Sequence, residues 1–210
     1  MNRFIKAEHL PEKVILTDDP QRVRLMGSRQ LTDVKTLFEL RGMFGYSGTY
    51  QGETVAVIAC SFGESAARLY AEEAIRLGAR ELIYLGECVS RSKEIALLDV
   101  ILARGGDPDY AEKIKRVAVE LVPELKWEDT LTHDTFWSTD DELPETKARV
   151  IDFAARGIYR AASQPGIRAG VILTVAENTA TAVRVVESVR QSRFKEGADL
   201  ALEVMAAGDQ

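Results

Sequence analysis

Residues 54–85 read TVAVIACSFGESAARLYAEEAIRLGARELIYL. The run from Thr54 to Ala59 is apolar and β-branched, the composition of a central strand. Ser61-Phe62-Gly63 then breaks the pattern. From Ser65 to Leu77 the apolar residues Ala66, Leu69, Tyr70, Ala74 and Leu77 recur at spacings of three and four, which predicts one stripe of an α-helix. Gly78 ends it, and Glu81 to Leu85 is strand-like again. Strands alternating with helices imply a mostly parallel or mixed sheet with helices on both faces.

The same alternation extends in both directions. Val14 to Thr17 predicts a short strand ending at Asp18-Asp19-Pro20, with a helix from Gln21 to about Gly27 behind the proline. Thr36 to Glu39 and Phe44 to Tyr50 predict two more strands. Towards the C-terminus the pattern predicts a strand over Leu98 to Ala103, a helix over Tyr110 to Val122 stopped by Pro123, and a helix over Ala148 to Ser163. A buried strand over Ala169 to Val175 follows, then one or two helices within Ala182 to Ala206. Arg104 to Asp109 and the polar stretch Thr132 to Thr146 read as connections.

Composition narrows the function classes. The 210 residues are 46% apolar, which suits one α/β domain over residues 1–210 with one sizeable core. No apolar run approaches the roughly 20 residues of a membrane span, and Met1 to Lys6 lacks a secretory hydrophobic region, so a cytoplasmic chain without membrane contact is expected. Cys60 and Cys88, both at the ends of strand-like runs, predict buried thiols and not a disulfide. With His9 and His133 the only histidines, no metal site is expected. A net charge of −6 without a basic cluster excludes the usual nucleic-acid binder.

In sheets of this kind ligands bind beyond the carboxyl ends of the strands. That directs attention to Asp18-Asp19-Pro20, Ser61-Phe62-Gly63, Gly86-Glu87-Cys88 and Ala176-Glu177-Asn178. The turn Ser61 to Ser65 opens a helix and suits an anion or polar ligand, or simply a connection. Arg41-Gly-Met-Phe-Gly-Tyr-Ser-Gly-Thr-Tyr50 reads as a tightly bent strand, and Arg41 as either a phosphate clamp or a surface ion-pair partner. Glu177 at a strand end is either a general acid or a helix cap. Phe136-Trp137 either stacks on a planar base or plugs the edge of the core.

In this order the pieces resemble the nucleoside phosphorylase family, which includes purine nucleoside phosphorylases and uridine phosphorylases. The resemblance runs from about Glu12 to Met205. Arg41 to Tyr50 is similar to the family's R-G-M-x-G-[FY]-[ST]-G-x-Y, and Val14 to Pro20 to its strand leading into G-D-P. Ser61 to Ser65 resembles G-M-G-I-x-S, and Asp134-Thr-Phe-Trp137 resembles D-x-F-Y. Ile172 to Glu177 resembles the strand ending in T-V-S-D, and Arg190-Gln191 the R-Q pair that follows, at the family's spacing.

The resemblance implies a single-domain three-layer α/β/α fold with a mixed central sheet, and cleavage of the N-glycosidic bond of a purine or pyrimidine nucleoside by phosphate. It implies no cofactor, phosphate being a co-substrate, and a homo-oligomer, either a dimer or a trimer of dimers. Glu177 stands at the proton-donating acid and Arg190 at the arginine assisting it. Arg22 and Arg41 stand at phosphate arginines, Arg41 at the one that serves the neighbouring subunit. Phe136 stands at the base-stacking aromatic, Phe62 and Phe153 at methionines lining the pocket, and Asp152 beside the ribose position.

The departures are concentrated. Asp18 stands at the family's phosphate-binding glycine, Tyr84 at its central-strand arginine, and Glu87 at a phosphate-binding Ser/Thr. Ala154 stands at the glutamate that grips the ribose hydroxyls. They leave three activities open: phosphorolysis, phosphate-independent hydrolysis, and nucleoside binding without turnover.

Overall fold

The computed structural model describes residues 3–134, 146–186 and 194–208. Among these, eleven strands form one sheet. The strands are β1 (Lys13–Thr17), β2 (Thr32–Leu40), β3 (Met43–Tyr50), β4 (Glu53–Ala59), β5 (Glu81–Ser90), β6 (Val100–Ala103), β7 (Lys126–Glu128), β8 (Thr130–Thr132), β9 (Val150–Asp152), β10 (Arg168–Asn178) and β11 (Val183–Arg184). The helices are α1 (Pro20–Arg29), α2 (Glu64–Arg76), α3 (Pro108–Leu121), α4 (Ala155–Ala161) and α5 (Lys195–Ala206).

The order β2-β3-β4-β1-β5-β10-β6-β7 puts β1 and β5 at the centre. β4, β1, β5 and β10 run parallel, whereas β3 and β6 are antiparallel to their inner neighbours. Alternation along each strand divides the core between two faces. Val14, Leu16, Ile58 and Leu82 pack with α2 and α4 on one side. Ile15, Val57, Ile83 and Ile172 pack with α1, α3 and α5 on the other. The result is the expected three-layer α/β/α arrangement around a mixed sheet.

Local chemistry sets the element ends. Asp19 caps α1, its Oδ1 accepting from the Gln21 amide at 2.8 Å, and Pro20 occupies the first turn. The β2–β3 hairpin turns on Arg41-Gly42, with φ of 55° and 77°, the positive pair that a type I′ turn needs. The α2 stripe is rotated from the expected one. Ala67, Tyr70, Ala71 and Ala74 are buried, whereas Leu69 is 44% exposed. The expected Leu69 face and the observed Ala71 face are neighbouring rows of one helix, and the small residues are the ones that fit under α4.

Three expectations are corrected. Gly86-Glu87-Cys88 does not end a strand: β5 runs on to Ser90 because its last residues pair with β9, Cys88 lying opposite Asp152. Residues 148–163 do not form one helix. Val150 to Asp152 are taken into the sheet between β5 and β8, and α4 starts only at Ala155. Residues 182–186 are not helical either: Val183–Arg184 return along β10 as β11. In the first case pairing with β9 lengthens the strand, and in the other two sheet pairing prevails over local helix propensity. Cys60 and Cys88 are buried and unbridged as expected. Among the described residues no helix is long and apolar enough to cross a membrane.

Candidate functional site

The carboxyl ends of β1, β4, β5 and β10 share one rim of the sheet, as the parallel register requires. At the β1 end stands Arg22, from the first turns of α1 and 8% exposed. Its Nη1 donates to Thr17 Oγ1 at 3.0 Å and to the Leu85 carbonyl at 3.1 Å. The Phe194 ring lies 5.5 Å from the guanidinium carbon. The guanidinium is therefore held from β1, β5 and the start of α5 at once.

Two carboxylates stand on either side of it. Asp18 Oδ1 is 4.0 Å from Nη1, and Glu87 Oε1 is 4.0 Å from Nη2. The side chains of Asp18, Glu87 and Arg22 are 8%, 12% and 9% exposed, so the cluster is reachable but largely desolvated. Tyr84 extends up from β5 and donates its hydroxyl to Asp18 Oδ2 at 3.2 Å. Burial raises the Asp18 carboxyl above its ordinary value, opposed by Arg22 and by the Tyr84 hydroxyl. Burial likewise pushes the Tyr84 phenol well up, and the Asp18 charge adds to it. Among the described residues, two carboxylates thus face this one guanidinium, at the edges that an incoming oxyanion would use.

A second group forms at the end of β4. Ser61 has φ 63° and Gly63 φ 100°, a sharp turn into α2. A Cβ on Gly63 would sit 3.3 Å from Asp134 Oδ1. That carboxylate accepts from the Glu64 amide at 2.7 Å and so caps the start of α2 from another part of the chain. Glu64 in turn pairs with Arg156 of α4, and with Arg160 at 3.4 Å. Phe62 is 46% exposed, with its ring centroid 4.8 Å from that of the buried Phe153. The structure thus brings Phe62 and Phe153 together as one aromatic wall, with Asp134 beside the turn.

Asp152 is fully buried. Its Oδ1 accepts from the Ala154 and Ala155 amides at 2.8 and 2.6 Å, and the Thr132 hydroxyl lies 3.0 Å from each oxygen. It therefore caps α4 and ties β8 to β9, and its carboxylate is committed to the protein's own donors.

Glu177 lies inside the carboxyl end of β10, not after it. The β10–β5 register shifts between Val175 and Glu177, and such a bulge re-aims the side chains that follow. Asn178 is buried, its amide donating to the Ser92 and Ile95 carbonyls at 2.8 and 2.6 Å. Glu177, next along the strand, is only half-buried. The β10–β11 ladder places Arg184 opposite Glu177, close enough for side chains on that face to interact. The sequence pattern carries no sign of this cation, since only the strand pairing reveals it. Arg190, expected there, lies outside the described residues, as does Phe136.

The structure does not gather Arg41 into the Arg22 cluster. Arg41 is exposed at the β2–β3 tip, on the same rim. Burial pushes the Tyr70 hydroxyl up to about 12, and Arg41 is close enough to oppose that rise. Among the described residues no group of three or more His, Cys, Asp or Glu could hold a metal ion.

No protein-family model matches the chain. Three similar known proteins align along nearly its whole length. A DeoD-type purine nucleoside phosphorylase of Caldanaerobacter subterraneus subsp. tengcongensis is 29% identical over 224 residues, covering 95% of this chain and 97% of that protein. A DeoD-type 2 purine nucleoside phosphorylase of Aliivibrio fischeri is 28% identical over 225 residues, 94% of each chain. A DeoD-type enzyme of the same name from Thermoanaerobacter sp. is 27% identical over 224 residues, 95% of this chain and 96% of that one.

Proposed function

We propose that the chain is a member of the nucleoside phosphorylase family and cleaves the N-glycosidic bond of a nucleoside, with phosphate as the attacking group and a purine as the leaving base, a reading supported by its similarity to DeoD-type purine nucleoside phosphorylases along nearly its whole length. The observation that carries this is the buried guanidinium of Arg22 at the rim where β1 ends, held by Thr17 and the Leu85 carbonyl. It is a fixed cation in a water-poor pocket, the kind of group that stabilises an incoming oxyanion.

In such a reaction a phosphate oxygen forms a bond to the anomeric carbon while the carbon–nitrogen bond to the base breaks. The bonding pair leaves with the base, so a proton delivered to the base lowers the barrier. We assign that delivery to Glu177, with Arg190 as its assistant, and assign the phosphate to Arg22. Phe62 and Phe153 form apolar lining for sugar and base. Asp152 supports that lining through α4 and Phe153. A hydrolytic reading, with water in place of phosphate, is favoured by one observation: both edges of Arg22 already face carboxylates at 4.0 Å.

Base release from a panel of purine and pyrimidine nucleosides, with and without inorganic phosphate, separates the readings. Phosphorolysis requires release that depends on phosphate. Equal release in its absence supports hydrolysis, and no release from any nucleoside under either condition overturns both. Glu177→Gln is expected to reduce turnover at least a hundredfold while leaving the melting temperature nearly unchanged, because its carboxylate is half-exposed at a strand end. A large loss of stability in that variant would assign Glu177 to the fold instead.

The family assignment also gives Arg41 a place in a neighbouring subunit's site. Its exposure at a hairpin tip on the active rim supports this. Light scattering at micromolar concentration is expected to give the mass of at least a dimer, and a monomer would end the trans-acting role.

A further inference from the structure

We propose that Asp18 and Glu87 are specificity-determining residues that control which anions the Arg22 pocket accepts, by occupying the two guanidinium edges that an incoming oxyanion would use. The inference rests on the proposed function only in taking the Arg22 pocket as the place where the attacking anion binds.

The geometry is asymmetric in a way an ordinary ion pair is not. An arginine and one carboxylate usually meet through two parallel hydrogen bonds at under 3 Å. Here two carboxylates each stand back at 4.0 Å, one at each terminal nitrogen. Neither closes to a hydrogen bond, because Nη1 is drawn to Thr17 and Leu85 and Asp18 is held by the Tyr84 hydroxyl. A tetrahedral oxyanion approaching Arg22 therefore meets two like charges within a few ångströms of its oxygens, in a setting where such repulsion is weakly screened. It enters when a carboxylate is protonated, or when one swings aside.

The groups facing Asp18 define when that happens. From α1 come Arg22 and the neighbouring Asp19. From β5 come Tyr84 and Glu87, and from the end of β4 comes Cys60. Phe194 closes the side towards α5. Arg22 is the cation that stands between the two carboxylates. Burial already favours the protonated Asp18. Anion binding should thus strengthen as the pH falls, and removing either charge should strengthen it at any pH.

The experiment is calorimetric titration of the full chain with sulfate, which keeps its charge from pH 5 to 8, without any nucleoside. The expected result is weak binding at pH 8 that tightens about tenfold by pH 5.5, the scale of one protonation unit or more. Asp18→Asn and Glu87→Gln should each bind about tenfold more tightly than the parent at pH 8, with a flatter pH profile. Arg22→Met should bind no sulfate at any pH. Variants that bind no tighter, or a parent whose affinity ignores pH, would overturn the proposal. Glu87→Gln, on the more exposed side, decides the matter if Asp18→Asn fails to fold. The two proposals fail separately. Phosphate-independent base release together with tightened sulfate binding overturns phosphorolysis and keeps the role of the carboxylates. Phosphate-dependent release with unchanged sulfate binding does the reverse.

Discussion

Arg22→Met is expected to destabilise the chain by about 3–5 kcal/mol at pH 8, and by distinctly less at pH 5. Removing one partner of a buried ionic group leaves uncompensated charge, and that cost sets the magnitude. Here it leaves Asp18 and Glu87 facing each other without their shared cation. It also leaves the Thr17 hydroxyl and Leu85 carbonyl without the guanidinium donor, and removes the cation above the Phe194 ring. The pH sign follows from Asp18. Its carboxyl is raised in the folded state by burial, with Arg22 the leading influence that lowers it. Without Arg22 the rise is larger. A raised carboxyl holds its proton in the folded state after the unfolded chain has lost it, so stability falls as pH rises through that window and recovers below it. Urea unfolding at both pH values measures the difference. A loss below about 1 kcal/mol, or one equal at the two pH values, would show that the carboxylates are not held by Arg22.

Asp152→Ala is expected to cost about 2–4 kcal/mol, the combined price of an α-helix cap and of buried donors left unpaired. The Ala154 and Ala155 amides and the Thr132 hydroxyl all lose their acceptor. The Thr132 oxygen also accepts from the Arg156 amide at 3.0 Å, so the disturbance reaches the first turn of α4. Hydrogen exchange should accelerate first at Ala154 to Ile158. Asp152→Asn, which keeps an acceptor oxygen, should retain more than half of the lost stability. If instead Asp152→Asn leaves the melting temperature alone and raises only the KM for nucleoside, Asp152 belongs to the substrate and not to the helix cap.

Much of the architecture is legible in residues 54–85, where apolar alternation, a three-and-four stripe and a stopping glycine agree. The β1–α1 junction is equally legible, because Asp19-Pro20 is both a cap and a helix start. Less legible are the places where one element borrows its partners from far along the chain. The Ala- and Arg-rich segment 148–163 carries a helical pattern throughout, yet its first residues complete the edge of β5. The rotated face of α2 has the same origin, since what it packs against is α4, and α4 begins later than its sequence suggests.

At the site, Asp18 and Arg22 follow from the end of β1 and the helix behind its proline, whereas Glu87 lies inside β5, which runs on to Ser90. The Asp134 cap on α2 bridges 70 positions, and the register that sets Arg184 against Glu177 follows from a two-residue strand too short to show periodicity. Both lie beyond the range over which a side-chain pattern carries information.

The sheet order bears on how the molecule comes into being. β10 lies between β5 and β6, so a nascent chain released only to residue 167 carries β5 with one long side unclaimed. Such an edge invites pairing with another chain, and contacts between distant segments form slowly. Arg22 lies far ahead of its ring partner Phe194 along the chain, with β10 between them. The anion pocket is therefore completed only after β10 has been made, and a ribosome-bound fragment ending before Phe194 would carry the arginine and both carboxylates without the ring that closes one side of them.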